Sequence, residues 1–217
     1  FGSASLGWRH MLYLDATLRG DQSSTLPTGN NVYVYPSFSG SFVFSELLHA
    51  AGKMPYGKLR MSWAQVGSDT DPYQLGLVYT KSKYTYPGYT IGYINNSTIP
   101  NKDLKPTKTN SFEMGLETKF LNNRLGLDIT YYAQKSKNQI MGMATSWTSG
   151  YTYRLINAGE IDNKGIEITL NTRPIQTRDF SWDLNLNFSK NSNKVVRLVD
   201  GMDMFELEKA TWLDVQV

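Results

Sequence analysis

The sequence predicts an all-β fold: an antiparallel arc of about seven membrane-crossing strands from a larger transmembrane β-barrel, with long extracellular loops. Strict alternation is the first observation behind this. In Phe180–Ser189 the even positions are Phe, Trp, Leu, Leu and Phe, and the odd ones Ser, Asp, Asn, Asn and Ser. Successive strand residues face opposite ways, so one face is apolar and the other polar. The run has roughly the ten residues that a tilted strand needs to cross a bilayer. Recurrence is the second observation, since Leu125–Tyr132 repeats the pattern. The third is that long and short connections alternate, as the outer loops and inner turns of outer-membrane barrels do.

The elements follow in order. A first strand is expected over Leu6–Arg19, where Leu12, Leu14, Ala16 and Leu18 alternate with Tyr13, Asp15, Thr17 and Arg19. The polar stretch Gly20–Asn31 is a loop. A second strand covers Val32–Phe44, with Phe38, Phe42 and Phe44 on one face; Pro36 cannot donate to a ladder and belongs near the strand's beginning. Ser45–Ala51 reads as a short helix with Ser45 as N-cap. A third strand spans Lys58–Val66. The long excursion Gly67–Thr107 carries apolar runs at Leu75–Tyr79 and Thr90–Ile94 that suit a hairpin. A fourth strand covers Thr109–Phe120, Asn122-Asn123 makes a tight turn, and a fifth begins at Leu125. Lys137–Glu160 reads as loop, Gly165–Arg173 as a sixth strand, Pro174–Asp179 as a short connection, and Phe180–Ser189 as the seventh strand.

On this reading the odd-numbered strands run outward, and the loops Gly20–Asn31, Gly67–Thr107 and Lys137–Glu160 face outside. Seven strands cannot close a bacterial barrel, and an open sheet would expose unpaired edges to hydrocarbon. The strands are therefore expected to be one arc of a bigger wall. Composition agrees. Fourteen Tyr, nine Phe and five Trp are a heavy aromatic load, and no run approaches a membrane helix in length. The net charge of +3 is too mild to indicate nucleic acid, and the lack of Cys removes disulfides and thiolate chemistry. The first residues lack both an initiating Met and the pattern of a leader. The chain is expected to be an internal piece of a larger protein, residues 1–217 being partial barrel with no plug domain.

Several segments resemble one family in order along the chain. Asn157-Ala158-Gly159-Glu160-Ile161-Asp162-Asn163-Lys164-Gly165-Ile166-Glu167 resembles the N-A-G-x-x-x-N-K-G-x-E run of the SusC/RagA-type TonB-dependent outer membrane transporters of Bacteroidota. Asn101-Lys102-Asp103-Leu104-Lys105 resembles the family's element before a strand, and Phe120-Leu121-Asn122-Asn123-Arg124-Leu125 its F-L-N-N-R-L hairpin. Tyr131-Tyr132 with Lys135 and Lys137 resembles a strand end, Leu18-Arg19-Gly20-Asp21 with Tyr35-Pro36-Ser37 an earlier strand–loop–strand, and Phe188–Val195 the N-F-S-x-N-x-N-K-V run. Pro106 stands where the family carries Trp, and Asn138 where it often has Asp. The resemblance implies the later part of a barrel of about 22 strands. It also implies a plug that meets TonB, a SusD-like surface lipoprotein as lid, and uptake of a glycan or peptide substrate across the cell outer membrane of a Gram-negative, Bacteroidota-like bacterium.

Candidate site residues are sparse. His10 and His49 are isolated and read as ordinary surface or interface histidines. Gly67-Ser68-Asp69-Thr70-Asp71 has two carboxylates near each other but lacks the glycine and distal Glu of a calcium loop, so a solvated loop is expected. No nucleophile, base and orienting group converge, so no catalytic residue, cofactor or metal site is assigned and the chain is read as no enzyme. Aromatic side chains crowd two outer loops. Tyr84, Tyr86, Tyr89, Trp147, Tyr151 and Tyr153 are the candidates for contact with the lid or with ligand, self-packing of the loops being the alternative. Asp128, Glu113, Glu117, Asp183 and Asn185 are expected to line water or face the plug. Two competing readings are a soluble all-β carbohydrate-binding module or adhesin, and a hydrolase on a β scaffold using Glu113 or Asp128.

Overall fold

In the computed structural model, residues 1–48, 56–77, 79–84, 86–94 and 98–198 are described. Eight strands form one antiparallel meander: β1 (Gly2–Trp8), β2 (Leu12–Gln22), β3 (Val32–Phe42), β4 (Tyr56–Ser68), β8 (Thr107–Phe120), β9 (Leu125–Ala144), β10 (Tyr153–Gln176) and β11 (Ser181–Arg197), paired in that order. The long excursion holds β5 (Tyr79–Lys81), β6 (Gly92–Ile94) and β7 (Thr98–Ile99). The pair β5–β6 is the expected hairpin, shifted by a few residues so that Tyr79 opposes Ile94. β7 adds to the end of β10 in parallel. One helical turn, α1 (Ser45–Leu48), begins where the short helix was expected. Residues 49–51 of that helix, His49 and the end of the chain lie outside the described residues.

Two expectations need correction. Leu6–Arg19 is not one strand but a hairpin, because Arg9 and His10 both adopt positive φ (49° and 56°) and Met11 N–H donates to the Trp8 carbonyl at 3.0 Å. The meander thus has eight strands where seven were expected. Lys137–Glu160 is not a loop either. β9 continues to Ala144 and β10 starts at Tyr153, so the hairpin ladder runs on well past the apolar stretch, and only 145–152 connect it. Apolar residues fall on both faces of that extension, Ile140 beside Met141 and Leu155 beside Ile156, so it carries no alternation to read. Pro36 sits within β3, and the β3–β4 ladder starts immediately after it, at Ser37 opposite Ala64.

Register aligns the apolar residues of every strand on one face. The row Ala4, Ala16, Phe38, Trp63, Phe112, Ala133, Lys164, Ser192 crosses all eight strands through direct pairs. The next same-face row toward the tight turns reads Leu6, Leu14, Gly40, Met61, Met114, Tyr131, Ile166, Lys190. Phe38 and Trp63 stack across strands at 6.1 Å.

The apolar band crosses these rows at a slant. On β2 it spans Leu12–Leu18, reaching two residues beyond Ala16 toward the loop end; on β11 it spans Trp182–Phe188, stopping four residues short of Ser192. At about 3.4 Å per residue and about 4.8 Å per strand, that displacement over the sheet is a slope of roughly 35°. Outer-membrane barrel strands tilt by about 35–45° against the membrane. A band that is level in a membrane must look slanted when measured against strands tilted by that amount.

Among the described residues nothing covers this face. Among the described residues only six apolar side chains are buried: Met11, Leu26, Leu104, Pro106, Leu155 and Ala158. Three of them, Leu26, Leu104 and Leu155, form a small cluster at the loop end with Tyr33, Leu75 and Ile140 against it. The sole compact apolar cluster among the described residues therefore ties the loops together, and the sheet face is left open.

Candidate functional site

Three surfaces could carry function: the apolar face, the polar face behind it, and the loop end. On the polar face Arg60 of β4 reaches over Gly115 of β8 to β9. Its Nη1 donates to Asp128 Oδ2 at 2.9 Å, and its Nη2 to Asp128 Oδ1 at 2.8 Å and Thr130 Oγ1 at 2.6 Å. The forked guanidinium matches a carboxylate in this two-bond geometry. Gly115 is required beneath it, because a Cβ there would collide with the guanidinium of Arg60. The same device recurs two strands on, where the Tyr132 ring crosses Gly165 and its hydroxyl donates to Asn191 Oδ1 at 3.2 Å. Glu113, Glu117, Asp183 and Asn185 share this polar face, and Asp183 accepts from Arg173 Nε at 2.6 Å. The sequence did not mark Arg60 or Gly115, and it marked Tyr132 only within the Tyr131-Tyr132 strand end. The partners are 68 residues apart for Arg60 and Asp128, so no local pattern marks them.

At the loop end, Asn157 is a clasp. Its Oδ1 accepts from Lys105 N–H at 2.8 Å, and its Nδ2 donates to the carbonyls of Lys105 at 2.7 Å and Asn138 at 3.1 Å. Thr107 Oγ1 donates to the same Asn138 carbonyl at 3.1 Å. Gly159 (φ 82°) and Asn138 (φ 57°) hold left-handed backbone where the β9–β10 ladder is interrupted. Glycine and asparagine are the residues that tolerate this conformation best. The asparagine and glycine of the Asn157-Ala158-Gly159 segment thus each have a structural duty: one seats the strand-entry segment around Leu104, the other permits the kink.

Asp69 forms a second clasp, accepting from the hydroxyls of Ser23 and of Thr25, the latter at 3.1 Å. These bonds, the Ser23 one foremost, hold the Asp69 carboxyl below its ordinary value of 3.8 despite some opposing desolvation. A lowered carboxyl stabilises the fold above its unfolded pKa and loses that contribution as pH falls through the folded value. Acidification below about pH 4 is therefore expected to open the loop 23–31 against β4 while the sheet persists, seen as faster amide exchange at Ser23 and Thr25 with strand amides unchanged. An Asp69→Asn variant should exchange quickly at neutral pH as well; equal protection at pH 3 and pH 7 would refute the assignment.

The six aromatic candidates fall into two groups. Tyr84, Tyr86 and Tyr89 occupy the tip of the long excursion, where Tyr86-Pro87-Gly88-Tyr89 is a turn with Gly88 at φ 83° and Tyr89 N–H bonded to the Tyr86 carbonyl at 2.9 Å. Trp147, Tyr151 and Tyr153 lie at the β9–β10 tip, Trp147 in a 3-10 turn capped by Ser146 and Gly150. Tyr84 is 83 % exposed, Tyr86 67 %, Tyr89 72 % and Trp147 80 %, so among the described residues the loops do not pack around them. Tyr86 and Tyr89 rings contact at 6.3 Å, and Tyr153 pairs with Ala144 and Thr98 through backbone.

Comparison with known proteins places this geometry. The chain is 28 % identical over 95 % of its length to the TonB-dependent receptor P26 of Formosa agariphila, and 28 % identical over 94 % to the TonB-dependent receptor SusC of Bacteroides thetaiotaomicron. It spans about a fifth (21 %) of the length of each. Among solved structures, the RagAB peptide importer in its closed-closed state superposes over 94 % of this chain and 23 % of that chain, with TM-score 0.86 and 25 % identity. The siderophore receptor PirA from Pseudomonas aeruginosa shares the fold over 89 % of this chain and 34 % of its own, with TM-score 0.57 and 19 % identity. A family model described as TonB dependent receptor-like, beta-barrel, matches residues 1–203. The meander, its slanted apolar band and these likenesses agree, and the chain belongs to the TonB-dependent receptor-like β-barrel family.

Proposed function

We propose that this chain is a section of barrel wall and outer loops in a TonB-dependent importer of oligosaccharides or peptides. It would lie in the outer membrane of a Gram-negative, Bacteroidota-like bacterium. The carrying observation is the apolar band: in register over eight strands, uncovered by any of the described residues, and sloped as a tilted barrel requires. The likeness to SusC and to the RagAB peptide importer supports the same reading.

In this arrangement the polar face looks into the lumen, where Glu113, Glu117 and Asp183 meet water or a plug contributed from outside this chain. The plug would be displaced by energy delivered through TonB. The chain's part is passive: it walls the passage and positions the loops. The exposed aromatic tips are the surfaces on which a SusD-like lipoprotein lid would close, stacking and burying rings that otherwise stand in water. Catalysis has no part in this reading.

Trp63 and Trp182 test it directly, since both sit on the apolar face. In the full-length protein reconstituted in lipid, quenchers attached to acyl chains are expected to suppress their fluorescence strongly, and aqueous quenchers weakly. The reverse pattern would sink the barrel wall.

A further inference from the structure

The excursion between β4 and β8 is anchored at both feet. Leu75 packs against the Leu26, Leu104 and Leu155 cluster, and β7 pairs with β10 at Tyr153 and Arg154. Between these feet β5 and β6, among the described residues, pair only with each other, as a separate two-stranded sheet. Ser82 N–H extends their ladder to the Ile91 carbonyl at 2.8 Å, and the turn at 86–89 closes the tip. Tyr79 stands exposed on one face of this hairpin and Tyr93 on the other. Two strands alone are marginal in water, and rings left bare on both faces favour burial against a second body.

Charge narrows the choice of that body. Residues 72–102 hold Lys81, Lys83 and Lys102 and not one Asp or Glu, although cations and anions nearly balance over the whole sequence, 22 to 19. The β9–β10 tip is alike: residues 138–159 hold Arg154 and no carboxylate. Lys81 lies directly opposite Gly92, and Tyr79 is its same-face neighbour along β5. The Tyr79 side chain leans toward that glycine; a Cβ at Gly92 would lie 3.7 Å from Tyr79 Cβ and 4.0 Å from its Cδ1. A ring and an ammonium thus share one face beside a residue with no side chain. Lys81 and Lys83 are exposed, and among the described residues neither makes an ion pair.

Shape narrows it further. Small-ligand sites are concave, whereas a free-standing hairpin encloses nothing. Tyrosines are favoured anchors of protein interfaces, where the ring is buried and the hydroxyl finds a partner.

We propose that this hairpin docks on an acidic face of the lipoprotein lid, Lys81 and Lys83 meeting its carboxylates while Tyr79, Tyr86 and Tyr89 are buried between them. The inference rests on the lid reading above and adds the chemistry of the surface that receives the hairpin. Complementary charge of this kind steers encounter and is screened by salt.

The test uses the full-length protein and the surface lipoprotein that purifies with it. A carbodiimide joins an amine to a carboxylate in contact with it. Treating the complex should therefore link Lys81 or Lys83 to an Asp or Glu of the lipoprotein, read by peptide mass spectrometry. After separation and remixing, the association rate should fall on the order of tenfold for K81E/K83E and be kept by K81R/K83R. Raising salt from about 0.05 to about 0.5 M should slow the unaltered pair and leave K81E/K83E nearly unchanged. Association at one rate in all three proteins, with carbodiimide links only from other lysines, would overturn the proposal. So would protection of Lys81 and Lys83 from acetylation by oligogalacturonate in the absence of lipoprotein, which would mark an anionic-substrate surface. A heat-dependent gel shift checks that each variant forms its barrel. Failure of any lipoprotein to associate with the folded full-length protein removes the lid and its acidic face together, whereas association indifferent to the two lysines removes the acidic face alone.

Discussion

Arginine in place of Leu186 is expected to destabilise the full-length protein in lipid by about 2–4 kcal/mol, while arginine in place of the adjacent Asn185 costs less than about 1 kcal/mol. The two positions are neighbours on β11 but face opposite ways. Leu186 opposes Leu170 in the apolar band, about midway between Trp182 and Phe188; Asn185 opposes Asn171 on the polar face. A guanidinium at Leu186 must either enter hydrocarbon or drag water and headgroups inward, and near the band's centre it has no short route to either surface. At Asn185 it would meet water. Urea unfolding in lipid vesicles measures both, and similar losses would mean that the two faces see the same environment.

The second large effect is expected at Gly165. A Cβ there would lie 2.5 Å from the Tyr132 hydroxyl and 2.7 Å from the Lys190 carbonyl oxygen. The tyrosine can swing away, at the loss of its bond to Asn191, but the carbonyl belongs to the β10–β11 ladder and cannot. Gly165→Val should cost about 1–3 kcal/mol from overpacking, with β10–β11 separation added to it. Tyr132→Ala in the same background is expected to recover only part of the loss, because it frees the ring's space and leaves the backbone clash. Full recovery would show that the ring alone needs the glycine. The same urea midpoints serve as the measure.

The faces of the wall were legible because each strand has one partner environment per side, and alternation reports it. What alternation cannot show is where a strand ends if the period survives the turn. Leu6, Trp8 and Leu12 keep the same parity through Arg9 and His10, and neither residue is a usual marker of left-handed backbone. The fused first strand follows from that. At Leu121–Asn123 the turn was legible, since the two asparagines announce the positive φ that the structure shows at 54° and 66°. The extension of β9 and β10 was illegible for another reason: loop segments cover part of it, Leu155 and Ile140 pack into the loop-end cluster, and apolar residues therefore fall on both faces with no period to see. The exposed aromatic tips were legible as residues, but what they touch is not written in this chain. The Arg60–Asp128 bridge and the two clasps join side chains dozens of positions apart, and nothing in local composition marks such pairs.

The wall is a meander, and that bears on the order in which it is assembled. Each ladder of the meander joins a strand to its predecessor in that order, and among these only the β4–β8 ladder must span a long stretch, the excursion between Ser68 and Thr107. Hairpins close within microseconds from nearby residues, whereas distant contacts wait for the chain to search. Asn157 grips a segment 52 residues upstream and Asp69 one 46 residues upstream. Neither clasp closes with a hairpin, so each ties the rim only after the strands beneath it have paired.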